Sequence, residues 1–236
     1  MNGGNGTLAP SHAMAQFLNE NGCTANVIDI MEKANPVGEI LGNVYNYFLR
    51  HSIFTAAMYM ESTHAFPFNK FKPFNEWSSK KIFSMIADET PDAIVIISPW
   101  ISNMVLFALN KYLKNKSKYP MIFIIVVDLG EKMTAYWINN DVDYTFLPTQ
   151  NALRYLNANG LDISKAAIYG VPLVNEFSKG RISKNERKLA KTKYGIDKNS
   201  MVISILGGRE GVSNTKPILK HILKTDLTKT CEIVVQ

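Results

Sequence analysis

The chain has 236 residues, of which 46% are hydrophobic and 19% charged, enough for one large domain or for one domain and part of a second, and too apolar for a disordered chain. Two cysteines, Cys23 and Cys231, stand far apart, which argues against a disulfide scaffold or a thiolate metal site and fits a reducing compartment. The net charge of +6 is local: Ser178–Asn199 holds eight Lys/Arg against two Asp/Glu, and the rest of the chain balances. That basic run reads either as a solvated helix and linker or as a surface drawn to anionic phosphate or lipid headgroups. Only one aromatic residue, Tyr194, lies within it, which argues against nucleic acid. No apolar run reaches the roughly 18–20 residues of a membrane span, and the opening Met-Asn-Gly-Gly-Asn-Gly has no signal-peptide pattern.

In chain order the expected elements alternate. A helix over Ser11–Asn21 stops at Gly22 and is followed by a strand-like run, Ala25–Ile30. Further helices are expected at Trp77–Ala87, Ser102–Leu113, Gln150–Asn159, Lys184–Tyr194 and Thr215–Leu223. Strands are expected at Asp92–Ser98, Met121–Asp128, Tyr144–Leu147, Ala167–Tyr169, Met201–Leu206 and Glu232–Val235. These strands lack polar alternation, as strands covered on both faces do. The alternation implies a Rossmann-like doubly wound parallel α/β sheet. The boundary is placed so that residues 1–178 form one such domain, lacking its first strand, and residues 179–236 form a linker and the truncated start of a second. In the first domain the strand at Met121–Val127 is expected to be central.

Four segments carry candidate chemistry. Gly3–Thr7 is expected to be a glycine loop opening a helix at about Pro10, whose amides could meet an anion or a developing oxyanion; it also reads as a tight turn. Asp128 follows a buried strand at the carboxyl edge of the sheet, where ligands of open α/β sheets bind, and equally could cap a turn. Trp137 reads either as part of that site or as core. Gly207–Ser213 follows a strand and precedes a helix, the order of a phosphate loop, without the Lys-Ser/Thr ending of a nucleotide hydrolase. Val44–Trp77 is dense in Tyr, Phe and Met; it suits a lipid interface or an ordinary helix with a tucked loop.

Taken in order, these segments resemble the plant-type monogalactosyldiacylglycerol synthases and the bacterial processive diacylglycerol glucosyltransferases, of the GT-B group. The family's glycine loop and first helix resemble Gly4–Ala15, and its Tyr-Asn-aromatic stretch resembles Tyr45–His51. Its Thr-Asp-Leu strand end, Trp and following strand resemble Val127–Leu129, Trp137 and Asp143-Tyr144. Its hinge resembles Tyr169–Phe177, and its donor-side glycine loop resembles Gly207–Gly211. Two family histidines are replaced: Thr7 stands directly after the first glycines, and Met133 and Thr134 lie where the second is expected.

The resemblance implies transfer of a hexose from a UDP-sugar to a lipid hydroxyl such as that of diacylglycerol, with inversion and without a metal or other cofactor. It implies Asp128 as base or orienter, with His12 a second candidate. It implies Gly4, Gly6, Thr7 and Trp137 on the acceptor side, and Gly207, Gly208, Glu210, Gly211 and Ser213 at the donor phosphates. The expected partners are a membrane lipid, an anionic membrane surface and a donor-binding half absent from this chain. The expected location is cytoplasmic and peripheral to a membrane. Both ends read as cut, and the chain alone is expected to be inactive. The alternative is a non-catalytic acceptor-side subunit, or a degenerate homologue, of a split enzyme.

Overall fold

A computed structural model describes residues 5–30, 72–113, 119–130, 132–178, 180–206, 215–225 and 231–235. The chain divides into two compact units, Met1–Leu173 and Val174–Gln236. The division falls a few residues before the expected one.

In the first unit, helix α1 (Asn5–Glu20) and helix α2 (Lys72–Glu89) precede strand β1 (Ala93–Ile96). Helix α3 (Ser102–Tyr112), β2 (Met121–Ile125), a 3-10 turn (Ala135–Trp137), β3 (Tyr144–Leu147), helix α4 (Gln150–Ala158) and β4 (Ala166–Ile168) follow. The four strands form one parallel sheet in the order β1-β2-β3-β4. Helices interleave with the strands, the Rossmann-like α/β arrangement. β2 is an inner strand, as expected, and its ladder runs one step beyond its end, with Val126 N–H donating to the Phe146 carbonyl at 2.9 Å.

The parity of the pleat sorts the strand residues. Ile96, Ile122, Ile124, Val126 and Leu147 join Ile82, Met104, Val105, Leu109, Trp137 and Leu156 in one buried core. Parallel strands need crossover segments, and helices α3 and α4 supply them with their apolar sides to this core. The opposite parity carries a row of rings, with Phe146 5.9 Å from Phe123, 5.3 Å from Tyr144 and 5.4 Å from Tyr169.

Local rules set the helix ends. Thr149 caps α4 by accepting the Ala152 N–H at 3.1 Å. α4 then stops at Gly160, whose φ of 103° lets Leu161 N–H reach back to the Leu156 carbonyl at 2.9 Å. α1 stops in the same way, with Gly22 at φ 84° and Cys23 N–H on the Leu18 carbonyl at 3.0 Å.

The second unit contains a short helix α5 (Asn175–Ser178), helix α6 (Lys184–Lys193), β5 (Met201–Ile205), helix α7 (Thr215–Ile222) and β6 (Cys231–Val235). β5 and β6 pair in parallel. α6 opens on a capping box: the Ser183 hydroxyl accepts the Glu186 N–H, and the Glu186 carboxylate accepts the Ser183 N–H. Hydrogen bonding to the Ser183 side chain, and to its backbone N–H, holds the Glu186 carboxyl below its usual range.

Three expectations change. Ala25–Ile30 is not a strand. Ala25 exchanges both of its backbone bonds with the Asn19 side-chain amide, at 2.8 and 3.0 Å, so a polar side chain replaces the neighbouring strand a ladder requires. α1 begins at Asn5, so Gly6 and Thr7 are helical rather than a loop, and Pro10 lies inside the helix. Pro10 resembles a first-position proline, but the helix extends upstream past it; the Thr7 carbonyl accepts the Ser11 hydroxyl at 2.7 Å. The helix expected from Trp77 starts at Lys72, with Pro73 in the first turn where its missing N–H costs nothing. The rest of Val44–Trp77, up to Phe71, lies outside the described residues.

Two glycine substitutions distinguish these backbones. A Cβ at either position meets nothing within 4 Å, so only backbone conformation matters. Gly160→Ala forces an L-residue into the left-handed region and is expected to cost about 1–2 kcal/mol. Gly6→Ala in a helix is expected to stabilise by about 0.5–1 kcal/mol, or to destabilise if residue 6 belongs to a loop. Urea midpoints of the two variants give the signs.

Candidate functional site

Parallel strands place all their carboxyl ends on one edge, and the candidate site lies there. β1 ends into the turn that opens α3, and β2 ends into Val126–Gly130. Residues 132–141 then cross the edge before the chain returns through β3.

That crossing segment is built from small local bonds. Thr134 begins the 3-10 turn: its hydroxyl accepts the Tyr136 N–H at 3.3 Å, and its carbonyl accepts the Trp137 N–H at 3.4 Å. The turn drives Tyr136 and Trp137 inward, to 4% and 1% exposure. Tyr136 meets the Trp100 ring edge-on at 4.7 Å, which ties the segment to the loop after β1. Two residues further on, the Asn139 amide donates to Asn103 Oδ1 at 3.1 Å, which ties it to the first turn of α3.

A buried indole must satisfy its N–H. Trp137 Nε1–H donates to Asp128 Oδ2 at 2.6 Å. Asp128 is half-buried at the carboxyl edge, three residues beyond β2. With Oδ2 held by the indole, Oδ1 is the oxygen left for a ligand. At the same edge Ser102 Oγ and Asn103 Nδ2, in the first turn of α3, are buried without a hydrogen-bond partner among the described residues. The residue before that helix, Ile101, provides no side-chain cap. The edge thus presents one oriented carboxylate.

The structure brings Asp128 and Trp137 together. Trp137 is fully buried, so any influence it has on an acceptor passes through Asp128 rather than through direct contact. His12 is exposed on α1, Thr7 is half-buried and Gly6 is exposed there. Gly4, Gly207, Gly208, Glu210, Gly211 and Ser213 lie outside the described residues. Among the described residues no group of three or more His, Cys, Asp or Glu side chains could hold a metal ion. Sequence reading missed Thr134, Asn139 and Asn103. The signal was present only in part: a Thr two residues before a Tyr-Trp pair fits a capped turn, but nothing local links positions 103 and 139.

Removing the indole N–H leaves a half-buried carboxylate oxygen without its donor and opens a gap in the core. Trp137→Phe is therefore expected to cost about 2–4 kcal/mol. Asp128→Asn keeps an acceptor and loses only the charge-assisted part of the bond, about 1 kcal/mol. The proton–nitrogen NMR spectrum of the three indoles reads the contact directly: Asp128→Asn should displace the Trp137 signal and leave those of Trp77 and Trp100 in place.

The family model described as monogalactosyldiacylglycerol (MGDG) synthase matches residues 9–173. The chain is 24% identical over 232 residues to a processive diacylglycerol beta-glucosyltransferase of Bacillus pumilus, covering 94% of this chain and 56% of the relative. It is 23% identical over 209 residues to the Bacillus subtilis protein of the same name, covering 85% and 50%. Against monogalactosyldiacylglycerol synthase 3, chloroplastic, of Arabidopsis thaliana it is 23% identical over 145 residues, covering 61% and 29%. The chain therefore spans about half the length, or less, of the curated relatives it matches.

Proposed function

Since the chain belongs to the monogalactosyldiacylglycerol synthase family of GT-B glycosyltransferases, we propose that it is the acceptor-binding part of an enzyme that transfers a hexose from a UDP-sugar to the hydroxyl of diacylglycerol, with inversion. The relatives it matches are named for glycosyl transfer to diacylglycerol. The observation that carries the reading is the Asp128 carboxylate, held by a buried indole at the carboxyl edge of a parallel sheet.

In this reading the acceptor hydroxyl binds at Asp128 Oδ1. Its oxygen attacks the anomeric carbon from the face opposite the leaving group. The bond from that carbon to the diphosphate oxygen breaks, its electron pair leaves with UDP, and the hydroxyl proton passes to Asp128. A fixed carboxylate orients the hydroxyl before the bond forms, and such orientation is a large part of the barrier reduction in displacement reactions. Gly207–Ser213 is proposed to meet the diphosphate, with the nucleotide pocket supplied by a donor-binding half.

The acceptor is a membrane lipid in this reading, and the protein works at a membrane surface. No helix among the described residues is long and apolar enough to cross a membrane. α6 presents Lys184, Arg187, Lys188 and Lys193 on an exposed helix, suited to anionic headgroups. Lys191 of the same helix is committed elsewhere, its ammonium donating to the Ser200 and Lys198 carbonyls.

The test is sugar transfer to diacylglycerol from UDP-glucose and UDP-galactose by this chain joined to a donor-binding half. Asp128→Asn is expected to lower kcat by about 10²–10⁴-fold, with KM for the donor unchanged. Full activity in Asp128→Asn would reject the assigned base. The chain without a donor half is expected to show no transfer.

A further inference from the structure

The outward side of α2 carries an arrangement that packing does not explain. The helix buries Asn75, Ser78, Ser79 and Ile82, at 4%, 2%, 0% and 0% exposure. At about 100° per residue these positions share one side, and Trp77 projects from the opposite side. Trp77 is 58% exposed. The exposed Lys80 and Lys81 lie one turn further on, about 60° to one side of it and about 40° to the other. Pro73 and Ser84 continue the same exposed strip, and the exposed Asp88 ends it about three turns beyond Trp77.

The acidic residue of this turn does not oppose the lysines. Glu76 pairs with Lys111 of α3 at 2.8 Å. That ammonium also lies 5.7 Å from the Phe107 ring and 5.4 Å from the Tyr112 ring. Lys72 adds a further exposed cation at the start of the helix. Around Trp77 the strip is thus an indole flanked by ammonium groups, with the Glu76 carboxylate beside it paired to Lys111 and Asp88 at its far end.

We propose that this face of α2 is a membrane contact, with the Trp77 indole lying among the lipid headgroups and Lys80 and Lys81 on anionic phosphates at either side. The chemistry matches on both counts. Indoles favour the boundary between headgroups and acyl chains, and lysines beside them keep their ammonium ends at phosphate level while their stems cover apolar surface. Helix α2 then lies along the membrane, in the same unit as Asp128. The inference rests on the reading that the acceptor is a membrane lipid and adds which surface meets that membrane.

The three tryptophans separate themselves for the test. Trp137 is buried and Trp100 half-buried against Tyr136, so a change in emission on lipid binding reports Trp77. The full chain is mixed with vesicles of phosphatidylcholine alone or of phosphatidylcholine with phosphatidylglycerol, and both emission and sedimentation are followed. Expected are a blue shift and co-sedimentation on the anionic vesicles, with the shift absent in Trp77→Phe. Lys80→Gln with Lys81→Gln should weaken partitioning roughly thirtyfold at low salt. All these side chains point outward, so circular dichroism of the variants should match that of the parent chain. Co-sedimentation with unchanged emission and no loss in the double variant would overturn the proposal, leaving membrane binding to the basic helix α6. Failure to bind either vesicle would reject the membrane reading as well. A dimer lost on Trp77→Ala, without lipid binding, would assign the face to a second copy of the chain and overturn the proposal too.

Discussion

Four strands that all run the same way cannot be joined by tight turns, so each must be followed by a segment that returns across the sheet. From that constraint comes most of the first unit. The returning helices α3 and α4 bring their apolar residues onto one sheet face, and Ile96, Ile122, Ile124 and Leu147 meet them there. The same constraint collects every strand's carboxyl end on one edge. Asp128 and Asn103 are 25 positions apart in the chain and share that edge because β1 and β2 are adjacent and parallel.

The edge is also where packing and chemistry become one requirement. Trp137 belongs to the core by volume, yet its N–H cannot be left unpaired in an apolar interior. Asp128 resolves this by accepting it, and is itself oriented as a result. A carboxylate on a strand-end loop would otherwise sample several rotamers. Here it is fixed by an indole that is in turn held by the Thr134 turn.

The surfaces divide differently from the core. α6 is basic along much of its length and contributes no buried residue, so its charge is available to solvent except where Lys191 closes the loop before β5. α2 turns Asn75, Ser78, Ser79 and Ile82 inward and a polar side outward, and Trp77 interrupts that outer side. An isolated exposed Trp needs no explanation. One bracketed by two lysines on adjacent flanks of a helix has the chemistry of a lipid boundary.

The sequence by itself determined the element types. Apolar runs such as MIFII and MVISI become strands, Thr149 and Ser183 start helices, and Gly22 and Gly160 end them, because hydrophobic period, side-chain caps and left-handed backbone are properties of a few neighbouring residues. It also placed Asp128 at a strand end and carried the order of motifs that marks the family. Tertiary structure decided what depends on residues distant in the chain. It turned Trp137 from a possible acceptor contact into the buried donor that holds Asp128. It joined Asn103 to Asn139, and it kept Ala25–Ile30 out of the sheet, since a run of strand composition becomes a strand only where another backbone lies alongside to complete its ladder.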